Sequence, residues 1–144
     1  DNISRTVIFR GKIISKILPR VGILQLDSNG VSRDPAVVDA YVNDPLVYTG
    51  KVTARLGAEM LKTMQDVTNS ASRINLPLTI VQGGNDILID PGGAQLLYDS
   101  VSSEDKTIKI YEGFYHEVFN DPGHEQVLND VWKWIEAHRG SSVT

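Results

Sequence analysis

The chain has 144 residues and a mass of 15.9 kDa, the size of one domain or of part of one. With 41% hydrophobic and 22% charged residues it is neither disordered nor fibrous. The absence of cysteine excludes a disulfide framework, a thiolate zinc site and a cysteine nucleophile, and fits a reducing, cytoplasmic compartment. A net charge of −4 argues against a nucleic-acid partner. No apolar run approaches the roughly 20 residues that span a bilayer, and no signal-peptide pattern follows Asp1. Natural chains ordinarily begin with Met, so this start is expected to belong to a processed, cloned or cut product.

Charge is unevenly spread. Residues 1–20 carry Arg5, Arg10, Lys12, Lys16 and Arg20 against Asp1 alone, and the remainder is strongly acidic. Two readings fit: a solvated helix face, or a basic, apolar surface that meets a lipid interface at a membrane periphery. The spacing predicts a short helix over residues 6–18, weakened by Gly11 and ended or kinked by Pro19. Residues 27–34 (DSNGVSRD) read as loop. Asp34-Pro35 is a cap followed by a helix-compatible proline, opening a helix near 35–42 that Asn43-Asp44-Pro45 closes. Val52, Leu56, Met60, Met64, Val67 and Ala71 recur at helical spacing and predict a long helix over 50–72.

The pattern then changes. Residues 76–81 (LPLTIV) form a short apolar run between turn residues, the mark of a buried strand. Asp90-Pro91 repeats the cap signal before a helix near 91–101, with Ala94, Leu97, Tyr98 and Val101 inward. A second strand is expected around 107–111, loop over 113–123, and a final helix over 124–138 with the stripe Val127, Leu128, Val131, Trp134 and Ile135. Strand, loop, helix, twice over, is the pattern of a parallel α/β sheet. Two strands make an incomplete sheet, so this part of the chain reads as one edge of a larger one.

In parallel α/β sheets, functional groups gather beyond the carboxyl ends of the strands. Asp86 and His116 occupy two such loops, and adjacent parallel strands would bring them to the same edge. An Asp that accepts the Nδ1 proton of a His fixes its tautomer and stabilises the imidazolium, as in the acid–base pair of a serine hydrolase. Taken alone the pair is unspecific, and a plain structural role competes for both residues. Asp121-Pro122 reads as a turn signal. His116, Asp121 and His124 match no metal-ligand spacing, so no metal is expected, nor any organic cofactor.

Residues 76–86 (LPLTIVQGGND), Ile89-Asp90-Pro91, residues 106–116 (KTIKIYEGFYH) and the following residues 117–122 together resemble the C-terminal part of monoacylglycerol lipases, within the lysophospholipase-like, serine-aminopeptidase-type α/β hydrolases. Ser32-Arg33-Asp34-Pro35 and residues 41–46 (YVNDPL) resemble the segment that follows the cap in that family. The resemblance implies the C-terminal part of an α/β-hydrolase fold: residues 1–30 as a cap-like segment, residues 31–144 as the last strands and helices of the core. It further implies Asp86 as triad acid and His116 as triad base. Cap residues Ile13, Ile14, Ile17 and Leu18 would contact the acyl chain of a monoacylglycerol, lysophospholipid or related ester.

The chain contains no G-x-S-x-G elbow, where this family keeps its nucleophile. Without a serine and oxyanion donors the acid and base have nothing to activate, so the isolated chain is expected to be inert. Three readings stay open. The chain is part of a serine ester hydrolase completed by an N-terminal half; or it is a non-catalytic module, derived from that fold, that binds a lipid or a protein partner; or it pairs with a second copy to cover the cut sheet edge.

Overall fold

A computed structural model describes residues 14–139. In chain order the elements are β1 (Gly22–Leu24), a 3₁₀ turn (Ser28–Gly30), α1 (Pro35–Asn43), β2 (Val52–Thr53), α2 (Ala54–Ser70), a second 3₁₀ turn (Ala71–Arg73), β3 (Leu78–Gly83), α3 (Gly92–Ser100), β4 (Lys106–Tyr111) and α4 (His124–His138). They belong to two compact units, one holding the described residues up to 26 together with 48–70, the other holding 27–47 and 71–139.

In the first unit, residues 14–17 are helical and the chain turns at Pro19, as that ring requires; the rest of the helix expected over 6–18, and Ile13, lie outside the described residues. β1 and β2 pair antiparallel, Gly22 opposite Thr53 and Leu24 opposite Val52. A Cβ on Gly22 would meet the Lys51 side chain at 2.6 Å, so glycine admits this close pairing. The helix expected from residue 50 therefore starts at Ala54: β-branched Val52 and Thr53 go into the ribbon instead. The first N–H groups of α2 then find backbone acceptors, Ala54 on the Val21 carbonyl (2.8 Å) and Arg55 on that of Pro19 (3.1 Å). These bonds tie the start of α2 to the first segment, and residues 48–70 fall in the same compact unit as the described residues up to 26. Along α2, Leu56, Met60, Met64 and Val67 lie on one exposed apolar face.

The second unit is the α/β part. α1 begins where the sequence indicates, with the Asp34 carboxylate accepting the Ala36 N–H at 2.9 Å. β3 and β4 pair in parallel without a register shift, from Leu78 opposite Lys106 to Gly83 opposite Tyr111. The fully buried cluster is small: Tyr111, Phe114, Val118 and Val127, with Val81 packed against it. It lies at the carboxyl end of β4 and the start of α4. Of the α4 stripe only Val127 is fully buried; Leu128 and Ile135 remain exposed. In α3 the expected inward residues are partly covered and Val101, at its end, is buried. A two-stranded sheet offers too little surface to cover both helices. Among the described residues no helix is long and apolar enough to cross a membrane.

Candidate active site

Because β3 and β4 end in register, their following loops leave from the same edge. The loops are stitched together by backbone bonds: the Gly84 N–H donates to the Tyr111 carbonyl at 2.8 Å, and the Asn85 N–H to that of Phe114 at 2.9 Å. Gly83 permits this approach, since a Cβ there would lie 2.1 Å from the Tyr115 carbonyl oxygen and 2.6 Å from that of Phe114. Gly113 supplies the positive φ of +79° that turns the chain after β4.

This arrangement brings Asp86 and His116 together. His116 Nδ1 lies 2.8 Å from Asp86 Oδ2. The Asp86 side chain is 1% exposed and that of His116 39% exposed, a buried acid behind an imidazole open to solvent. Asp86 Oδ2 also accepts Gln82 Nε2 at 2.8 Å, and its Oδ1 accepts the N–H groups of Leu88 (2.8 Å) and Ile89 (2.9 Å). Burial by itself would raise the Asp86 pKa. The bonds from His116, Ile89, Leu88 and Gln82 outweigh it and hold the group below the ordinary carboxylate value, hence ionised. An ionised carboxylate only accepts, so Nδ1 carries the proton of the shared bond and Nε2 of the neutral ring carries the lone pair. Among the described residues no group bonds His116 Nε2. The arrangement is chemically a base with a fixed tautomer and a counter-ion for its protonated form.

His116 is also held through its backbone. Its N–H donates to the Gly30 carbonyl at 3.3 Å, and the Glu117 N–H to that of Val31 at 2.8 Å. Next to these bonds lies Asp121, which is fully buried. Its Oδ1 accepts the Arg33 N–H (2.7 Å) and Ser32 Oγ (3.0 Å); its Oδ2 accepts Arg33 Nε (2.8 Å) and the Tyr115 N–H (3.1 Å). Burial again works against the charge, but the bonds from Arg33, Tyr115 and Ser32 prevail and Asp121 stays below the ordinary value. Arg33 also donates to the Pro122 carbonyl at 2.6 Å and stacks its guanidinium 4.8 Å over the Phe114 ring. The turn reading of Asp121 misses this hub. A buried carboxylate of this kind shows in sequence only as an acid and an arginine 88 positions apart.

Ile14, Ile17 and Leu18 belong to the first unit and are exposed there. Asp90 accepts the Gly92 N–H at 2.9 Å, the cap-like bond expected of it. His124 sits at the start of α4 with Nδ1 3.1 Å from the Asp121 carbonyl. His138 closes α4 against Asp105.

Comparison with known proteins identifies the family and the fold. Residues 2–123 match the family model described as serine aminopeptidase, S33. A monoacylglycerol lipase of Mycolicibacterium smegmatis is 41% identical over 138 residues, 96% of this chain and 49% of that protein. A monoglyceride lipase of Rattus norvegicus is 33% identical over 141 residues, 96% of this chain and 46% of that one. The crystal structure of a Paleococcus ferrophilus monoacylglycerol lipase superposes with a TM-score of 0.82 at 30% identity, covering 94% of this chain and 53% of the other. The chain thus spans about half the length of the relatives it matches. It belongs to the serine aminopeptidase S33 family, with the fold of an α/β hydrolase over the part that it spans.

Proposed function

We propose that this chain supplies the acid and base of a serine ester hydrolase that acts on monoacylglycerols, lysophospholipids or related carboxylic esters. The observation that carries the reading is the 2.8 Å bond between His116 Nδ1 and the buried Asp86 carboxylate, which leaves Nε2 as the basic nitrogen. Nε2 takes the proton of a serine hydroxyl as its oxygen attacks the ester carbonyl. Asp86 stabilises the imidazolium, which returns the proton to the leaving alcohol. Water activated in the same way then clears the acyl-enzyme. The serine and the oxyanion donors come from outside these 144 residues, because no G-x-S-x-G is present. The segment containing Ile13, Ile14, Ile17 and Leu18 serves the acyl chain, and the basic residues 1–20 favour contact with a lipid surface. The names of the relatives support the substrate class.

The test is labelling with a fluorophosphonate probe and intact-mass readout. The 144-residue chain is expected to take no adduct, whereas a polypeptide that joins it to a G-x-S-x-G-bearing half takes one and hydrolyses a monoacylglycerol. An adduct on the isolated chain would mean that one of its own serines is activated. Turnover that persists in His116→Ala would remove the base assignment.

A second reading rests on the exposed apolar residues of the first unit, Ile17, Leu18, Leu56 and Met64 among them. In it the chain is a non-catalytic module that binds lipid or a partner, a second copy included. Liposome or self-association that leaves the joined polypeptide without turnover would favour it.

A further inference from the structure

We propose that Asp121 is a positioning residue for His116, setting the imidazole against Asp86; this rests on the reading of His116 as a base. The carboxylate joins two stretches of chain that also meet through the backbone bonds of His116 to Gly30 and Glu117 to Val31, through Arg33 on the Pro122 carbonyl and the Phe114 ring, and through Ser32 Oγ near the Asn120 carbonyl. One oxygen of Asp121 holds the Ser32–Arg33 turn, and the other holds Arg33 Nε and the N–H of Tyr115, the residue before His116. All four donors converge on a fully buried group whose both oxygens must accept. The hub therefore fixes the backbone on the N-terminal side of His116, while Gly30 and Val31 fix it at and after the residue. From that backbone position the imidazole reaches Asp86, thirty residues away in sequence, at 2.8 Å. An asparagine at 121 keeps the shape but offers one accepting oxygen and turns an NH₂ toward N–H or O–H donors, so at least one of the two sides is lost in either amide orientation.

The experiment is ¹H–¹⁵N NMR of the histidine rings in the full 144-residue chain, reading the Nδ1 proton of His116 and its solvent exchange. The ring of His138, bonded to Asp105 and the Trp134 carbonyl, reports folding elsewhere in the same unit. In Asp121→Asn the His138 signals are expected to stay, and exchange of the His116 Nδ1 proton to rise by roughly tenfold or more, the scale of one lost hydrogen bond. A His116 proton as protected as in the parent chain would overturn the proposal. If Asp121→Asn does not fold, Arg33→Lys decides: it removes the Nε bond, with the Pro122 bond and the guanidinium stack on Phe114, but keeps the backbone bond to Asp121. Several-fold faster exchange at His116 alone supports the proposal, and no change refutes it. Asp86→Asn separates the two levels. If the protected proton is missing from the parent chain or survives in Asp86→Asn, the acid–base reading itself fails. If it is lost in Asp86→Asn but kept in Asp121→Asn, only the positioning role fails.

Discussion

Gly83, the last residue of β3, lies so close to the loop carrying His116 that a Cβ would stand 2.1 Å from the Tyr115 carbonyl oxygen. The obstacle is backbone, not the movable end of a side chain, so the loop itself must shift to admit any other residue. Gly83→Ala is expected to destabilise the second unit by about 2–3 kcal/mol, toward the upper end of overpacking costs. Urea unfolding checks this through a lower midpoint at unchanged slope. The same variant should weaken the His116–Asp86 bond, because Tyr115 is the neighbour that moves.

In the joined polypeptide proposed above, Asp86→Asn and His116→Ala should each lower kcat by roughly 10⁴-fold with little change in KM, as for removal of a group that acts in the transition state. The Asp86 change does so without emptying the position. An asparagine NH₂ in place of Oδ2 repels the Nδ1 proton and drives the ring to the other tautomer, so Nε2 no longer accepts. Circular dichroism of both variants should match the parent. A kcat within tenfold of the parent for either would disprove the assigned role.

Asp34-Pro35 and the strand–loop–helix alternation placed α1, β3, α3, β4 and α4 within a few positions, because caps and periodicity are local signals. The meeting of Asp86 and His116 followed from parallel pairing, a rule of topology. The β1–β2 ribbon was not legible: Gly22–Leu24 and Val52–Thr53 are too short to show alternation, and their pairing spans distant segments. The Asp121 hub was hidden for a related reason. An acid before proline looks the same whether solvated or buried, and only the fold brings Ser32 and Arg33 to it.

Acid should act through Asp86 and Asp121. Both hold folded-state values below the ordinary 3.8, so each contributes stability that is fully present above 3.8 and is lost as pH falls through its folded value. Asp121→Asn should cost about 2–3 kcal/mol at pH 7, less than a fully buried pair because Arg33 is partly open to water. That deficit should narrow as the parent is acidified below 3.8. Chemical unfolding at stepped pH measures it; a deficit that does not narrow below 3.8 would show that the folded chain does not lower the Asp121 pKa.

His138 predicts a dependence of opposite sign. Its Nδ1 lies 2.6 Å from the Trp134 carbonyl and its Nε2 2.9 Å from Asp105 Oδ2. Both partners only accept, so both ring nitrogens must donate, which requires the imidazolium. The Trp134 carbonyl raises the pKa above the ordinary 6.5; burial opposes it, and Asp105 adds to the rise. A raised folded value means that the contribution is complete below pH 6.5 and is lost as pH rises through the folded value. The C-terminal end of α4, which Asp105 ties to the segment before β4, should therefore loosen on the alkaline side of 6.5. Trp134 stacks on the same ring at a centroid distance of 4.0 Å and gives a local readout. In a Trp132→Phe background, Trp134 emission should rise as the quenching imidazolium discharges, with a midpoint above 6.5. His138→Gln should abolish the titration and flatten stability on the alkaline side of 6.5. A midpoint below 6.5 would mean that burial, not the two acceptors, governs this ring.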